Sequence, residues 1–82
     1  MRMEYKTEVR ITLKRGVLDA EGETIQHSLK LLGYNVKKVE TVKCYIITVE
    51  AKTEREAVER LEDSCRKLLA NPVIQDYSIK VL

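Results

Sequence analysis

Met3, Tyr5, Thr7, Val9, Ile11 and Leu13 fall on one side of a two-residue period. Arg2, Glu4, Lys6, Glu8, Arg10, Thr12 and Lys14 fall on the other. Alternation of this kind predicts a strand with one covered face and one wet or partner-facing face. Arg15-Gly16 ends it, and Val17 to Gly22 reads as a loop. From about Asp19 to Leu32 the spacing becomes helical, with Ile25, Leu29 and Leu32 on one stripe and Ser28 among them. Gly33 sits where a glycine after a helix C-terminus belongs.

The middle of the chain is less regular. Val36, Val39 and Val42 are three apart, which fits neither period, and a short, bulged strand near 37–41 is expected. Tyr45, Ile47, Val49 and Ala51 alternate well, so a second strand comes next, after a turn within 41–44. Thr53-Glu54-Arg55-Glu56 is a capping box. The helix behind it carries Ala57, Val58, Leu61, Cys65, Leu68 and Leu69 on one face. Its other face pairs Glu56 with Arg60, Glu62 with Arg66 and Asp63 with Lys67 at i, i+4. Pro72 stops it, and Tyr77, Ile79 and Val81 mark a last strand. The order βαββαβ, wound with right-handed crossovers, predicts an α+β ferredoxin-like sandwich. That fold is a four-stranded antiparallel sheet with both helices on one face, here a single domain over residues 1–82.

Length and composition narrow the function. An 82-residue chain of 9.5 kDa buries only about 60–65% of its unfolded surface, so its stability is thin and a second copy or a partner helps. Fifteen basic and 13 acidic residues are too balanced to argue for nucleic acid or an anionic membrane. No apolar run spans a bilayer, and Met1-Arg2-Met3-Glu4 leads straight into charged alternation without a secretory pattern. Cys44 and Cys65 lie inside patterned segments, which fits two small packed thiols in a cytoplasmic protein better than a disulfide.

Catalytic chemistry is sparse. The lone His27 sits mid-helix with no metal-ligand spacing around it, and no glycine-rich phosphate loop is present. An acylphosphatase-like site after the first strand is opposed by Asp19 and Glu21, which place carboxylates where an anion would bind. Reading of RNA on the sheet needs outward aromatics, whereas Tyr5 and Tyr45 share the parity of the apolar face. A non-catalytic interaction module or a ligand-sensing module of this fold remains.

Two motifs favour the first. One is Lys14-Arg15-Gly16-Val17-Leu18-Asp19-Ala20-Glu21-Gly22, followed by Leu31-Leu32-Gly33-Tyr34. The other runs from Cys65 through Leu68-Leu69-Ala70-Asn71-Pro72-Val73-Ile74 to Tyr77. They resemble the PurS family, the small subunits of phosphoribosylformylglycinamidine synthase, over essentially the whole chain. Ala20-Glu21 replaces the family's usual Pro-Gln, Val42-Lys43 its glycine-lysine turn, and Gln75 a common Glu. The resemblance implies a required subunit of a glutamine-dependent ligase (EC 6.3.5.3) that carries no catalytic residue, cofactor or metal itself. ATP and magnesium are then used by the synthetase subunit PurL, and glutamine by the glutaminase PurQ. Dimers of the small subunit, or a tetramer, bridge the two so that ammonia converts the formylglycinamide ribonucleotide to the formylglycinamidine. The expected partner surface is Arg15, Val17, Leu18, Asp19, Lys43, Tyr45, Asn71 and Pro72. For Val17 and Leu18 a plug on the core is an equal reading. Asp19 also suits a helix cap, and Asn71-Pro72 a helix stop.

Overall fold

The computed structural model describes residues 2–82. Its sheet has β1 (Met3–Leu13) in the middle, with β2 (Val42–Ala51) and β3 (Gln75–Val81) antiparallel on either side. The helices are α1 (Ala20–Leu31) and α2 (Glu54–Ser64), the latter continued by a π-helical turn, Cys65–Leu69. The β1 alternation holds: Thr7, Val9 and Ile11 are buried, and Val9 lies opposite Tyr45 on β2 and Ile79 on β3. Thr7 is the buried polar residue of this row, and its hydroxyl donates to the Ile47 carbonyl at 2.7 Å. That bond removes most of the cost of burying it.

α2 covers the apolar face of the sheet. Thr53 accepts from the Glu56 amide at 3.1 Å, the first half of the expected capping box. The Glu56 carboxylate reaches back to the Lys52 amide at 3.4 Å, one residue earlier than that motif requires. Leu61 and Cys65 pack down with Val9, Ile11 and Ala70, and Ala57 is buried one turn earlier. Of the expected helix pairs, Glu56–Arg60 (2.6 Å) and Asp63–Lys67 (2.9 Å) form, whereas Arg66 turns to Asp63 at 3.8 Å. The π turn closes with the Ala70 amide donating to the Cys65 carbonyl at 2.9 Å. One extra residue in a turn rotates the side chains beyond it, so Leu69 packs on the core while Leu68, expected on the buried face, is 83% exposed. Cys44, expected to be packed, is exposed on β2, and neither thiol is in a disulfide.

Two larger expectations fail within one chain. Among the described residues the sheet has three strands, because residues 37–41 form none and no turn separates them from β2. Nor do both helices share a face of the sheet. α1 contributes nothing to the core cluster, and of its residues only Gly22 is buried. The physical reason lies in where the 37–41 amides go. Val39 donates to the Gln26 side chain at 3.0 Å and Thr41 to the Asp19 carboxylate at 2.6 Å. Both acceptors belong to α1 or its cap, so this segment returns along the helix and not along β2. The helix itself ends as expected. Gly33, at φ +93°, and Tyr34 donate to the Lys30 and Leu29 carbonyls at 3.0 and 3.1 Å. α1 and residues 33–41 therefore form an arm standing off the sheet, and the chain extends over 55 × 25 × 14 Å.

Candidate partner surface at the loop end of the sheet

The C-terminal end of β1 and the N-terminal ends of β2 and β3 lie together, because Thr12 pairs with Val42 and Leu13 with Gln75. Two loops meet there. In the first, the Val17 amide donates to the Lys14 carbonyl at 3.1 Å and turns the chain at Arg15-Gly16. In the second, the Asn71 side chain accepts from the Val73 amide at 3.0 Å, and the Asn71 carbonyl accepts from Ile74 and Gln75. The Asn71 amide donates to the Gln75 side-chain oxygen at 2.7 Å. A glutamate oxygen serves equally there, so Gln75 keeps the staple while dropping a charge. The loops are tied by the Lys14 amide, which donates to the Ile74 carbonyl at 2.8 Å.

An open cleft of about 920 Å³ runs from the first loop to the arm. Arg15, Val17, Leu18 and Asp19 line it, with His27 and Lys30 of α1 and residues 37–42 opposite. Lys38 pairs with Glu40 at 2.9 Å, which raises the lysine pKa through that hydrogen bond and charge. Asp19 is held below the usual carboxylate range, first by the Thr41 amide and then by the Gly22 amide. Its negative charge is thus spent on backbone donors. Both thiols shift upwards: desolvation and then Glu8 raise Cys44, while burial and then Glu62 raise Cys65. A nucleophilic cysteine requires the opposite shift. Among the described residues no cluster of His, Cys, Asp and Glu has metal-binding geometry. The arrangement offers exposed side chains and an open cleft for binding.

Residues singled out from the sequence divide by what they touch. Leu18 is 68% exposed, and Arg15, Lys43 and Pro72 are exposed at this end of the sheet. Val17 and Asp19 are half-buried, and Asn71 folds its own loop. Tyr45 lies away from these loops, in mid-strand, packed against the core cluster. Gln26 and Thr41, which carry no signal in the sequence, build the arm together with Gly22. A Cβ on Gly22 would stand 2.7 Å from the Val39 carbonyl oxygen, so only glycine admits the returning segment. Its one visible signal was the three-residue spacing of the valines, which belongs to a segment packed on a helix.

A domain of this size with a three-stranded antiparallel sheet, two helices and exposed loops at one end of the sheet is a small α+β domain by class. Comparison with known proteins gives the family. The profile of PurS, phosphoribosylformylglycinamidine (FGAM) synthase, matches residues 6–82. The phosphoribosylformylglycinamidine synthase subunit PurS of Methanocaldococcus jannaschii is 54% identical over 78 residues, 94% of each chain. The crystal structure of PurS from that organism superposes with a TM-score of 0.87 at 52% identity, over 95% of each chain. A chain in the structure of PurLQS from Thermotoga maritima gives 0.90 at 32% identity, over 98% of this chain and 99% of that one. The chain belongs to the PurS family, as a subunit of FGAM synthase in purine biosynthesis.

Proposed function

We propose that the chain is a non-catalytic adaptor, acting as a homodimer in the cytoplasm, that holds the glutaminase PurQ and the synthetase PurL in register. The observation that carries this reading is the match, over nearly its whole length, to a chain of the Thermotoga PurLQS structure. One feature of this chain supports it: Arg15, Leu18, Lys43 and Pro72 are exposed together at one end of the sheet. ATP and magnesium are then needed by PurL alone. Holding two active sites together raises the effective concentration of ammonia at the second, so catalysis improves by positioning.

Within the expected surface, Arg15, Leu18, Lys43 and Pro72 make the partner contacts in this reading. Val17, Asp19 and Tyr45, all half-buried, support them from behind, and the exposed Asn71 shapes its loop through hydrogen bonds. Co-elution tests this assignment. The purified chain mixed with PurL and PurQ, glutamine and magnesium-ADP is expected to travel with both in gel filtration. Leu18→Glu with Arg15→Glu is expected to remove it from the complex while its circular dichroism stays unchanged. Separate elution of the unaltered chain would refute the adaptor.

A further inference from the structure

The cleft beside the first loop is walled by one side of α1. Glu23, Gln26, His27 and Lys30 line it, spaced i, i+3, i+4 and i+7, which makes a single helical face. Ile25 and Leu29 of the apolar stripe point about half a turn away from that face. Cleft and stripe are therefore separate surfaces of one helix.

The charges in the cleft do not cancel. Five permanent cations, Lys14, Arg15, Lys30, Lys37 and Lys38, stand against the carboxylates of Asp19, Glu23 and Glu40. Asp19 is turned onto the Gly22 and Thr41 amides at 2.9 and 2.6 Å, and Glu40 holds Lys38 at 2.9 Å. Glu23 sits in the first turn of α1, where the helix dipole favours it. Lys14 reaches Asp76 only at 3.9 Å. Among the described residues, Arg15, Lys30 and Lys37 have no carboxylate within 4.0 Å. All three are exposed. They come from the first loop, the end of α1 and the return segment, so the excess positive charge is spread along the walls.

That spread decides the kind of anion. A single phosphate is held by convergent backbone amides, as at a helix N-terminus. Here such donors are occupied: Gly22 and Thr41 by Asp19, and Val39 by the Gln26 side chain. Separated cations around an open volume of about 920 Å³ suit several carboxylates strung along a polypeptide. Arg15 belongs both to the cleft and to the exposed end of the sheet assigned to partner contact, so the two surfaces are continuous.

Resting on the adaptor reading of the proposed function, we infer that the cleft seats an acidic segment of a partner subunit, with Arg15, Lys30 and Lys37 as its cationic contacts. The contact is solvated and electrostatic, so it speeds encounter, sets orientation and weakens with salt.

Biolayer interferometry of the full chain against PurL and PurQ, each alone and together, with glutamine and magnesium-ADP present, tests this. Lys30→Glu with Lys37→Glu is expected to weaken binding at least tenfold and to flatten its dependence on salt between about 50 and 300 mM. Lys30→Gln with Lys37→Gln is expected to weaken it less, in the same direction, with an unchanged circular dichroism spectrum. Lys6→Glu with Lys52→Glu makes the same charge change at the opposite end of the sheet and is expected to alter binding less than twofold. In an NMR titration of the free chain, a hexaglutamate peptide is expected to shift the Lys30, Lys37 and His27 signals. Pyrophosphate binding there at least tenfold tighter than the peptide would assign the cleft to a phosphate compound and overturn the acidic segment. Unchanged binding after both Lys30 and Lys37 substitutions, or an equal loss in the Lys6 and Lys52 variant, overturns the cleft contact and leaves the adaptor standing. Failure of the unaltered chain to bind either subunit overturns the adaptor and this contact with it.

Discussion

The Asp19 carboxylate accepts from the Thr41 amide at 2.6 Å across 22 residues, while its other oxygen accepts from the Gly22 amide at 2.9 Å. One side chain thus caps α1 and fastens the entry of β2 to it. Asp19→Ala is expected to unlock the arm: hydrogen exchange at Thr41 and Val39 accelerates, while amides of the β1–β3 pairing keep their protection. Unchanged exchange at Thr41 would contradict this role. Acid should act alike. Because the folded pKa is lowered, the contribution of Asp19 is full above its unfolded value of about 3.9 and is lost as pH falls through the depressed folded value. An NMR titration is expected to show the Thr41 amide shifting below pH 4, and a midpoint above 4 would contradict the assignment.

Gly22→Ala is expected to damage the same joint by steric means. The new methyl would stand 2.6 Å from the Asp19 carboxylate and 2.7 Å from the Val39 carbonyl oxygen, and the latter is backbone. The arm must open, and Gln26 then loses the Val39 amide. Loss of the Val39–Gln26 contact by NMR, with the sheet intact, checks it.

Core packing separates two leucines that the sequence placed on one helical face. Leu61 is 3% exposed and packs against Val9 and Ile11, so Leu61→Ala is expected to cost about 2–5 kcal/mol in urea unfolding. Leu68 is thrown outward by the π turn, and Leu68→Ala should fall within about 0.5 kcal/mol of the parent. Equal losses would mean that the turn closes as an ordinary α-helix.

The two thiols should differ as clearly. Cys44 is exposed, and its pKa is held up first by local desolvation and then by the Glu8 carboxylate, 3.6 Å from its Sγ. Ellman's reagent is expected to modify one thiol in the folded chain, slowly at pH 7.5 and faster as pH rises. Glu8→Gln should speed that reaction. Cys65, buried in the core, should react only on unfolding, so two fast thiols would contradict the packing.

Much of this architecture was legible because local signals and tertiary burial agreed. The β1 alternation, the Thr53 cap, the Gly33 stop and the Tyr77-Ile79-Val81 row each appear where the pattern set them. Reading failed where local pattern and tertiary partner part company. An apolar stripe at Ile25, Leu29 and Leu32 marks a helix, without saying that the chain's own sheet leaves it uncovered. The period-three valines gave no strand because side chains of Asp19 and Gln26, far back in sequence, take the amides a strand would use. Asn71, Val17 and Asp19 show the same limit: motif membership marked them, and only the structure shows that Asn71 and Asp19 bind backbone amides and that Val17 is half-buried.

Reconstitution measures the central claim most directly. Purified PurL and PurQ are assayed with the formylglycinamide ribonucleotide, ATP, magnesium and glutamine, with and without this chain, and again with ammonia replacing glutamine. The adaptor account predicts glutamine-dependent product only when the chain is present, and ammonia-dependent turnover that hardly depends on it. Glutamine-dependent turnover equal in its absence would contradict the account, as would ammonia-dependent turnover that falls equally without it.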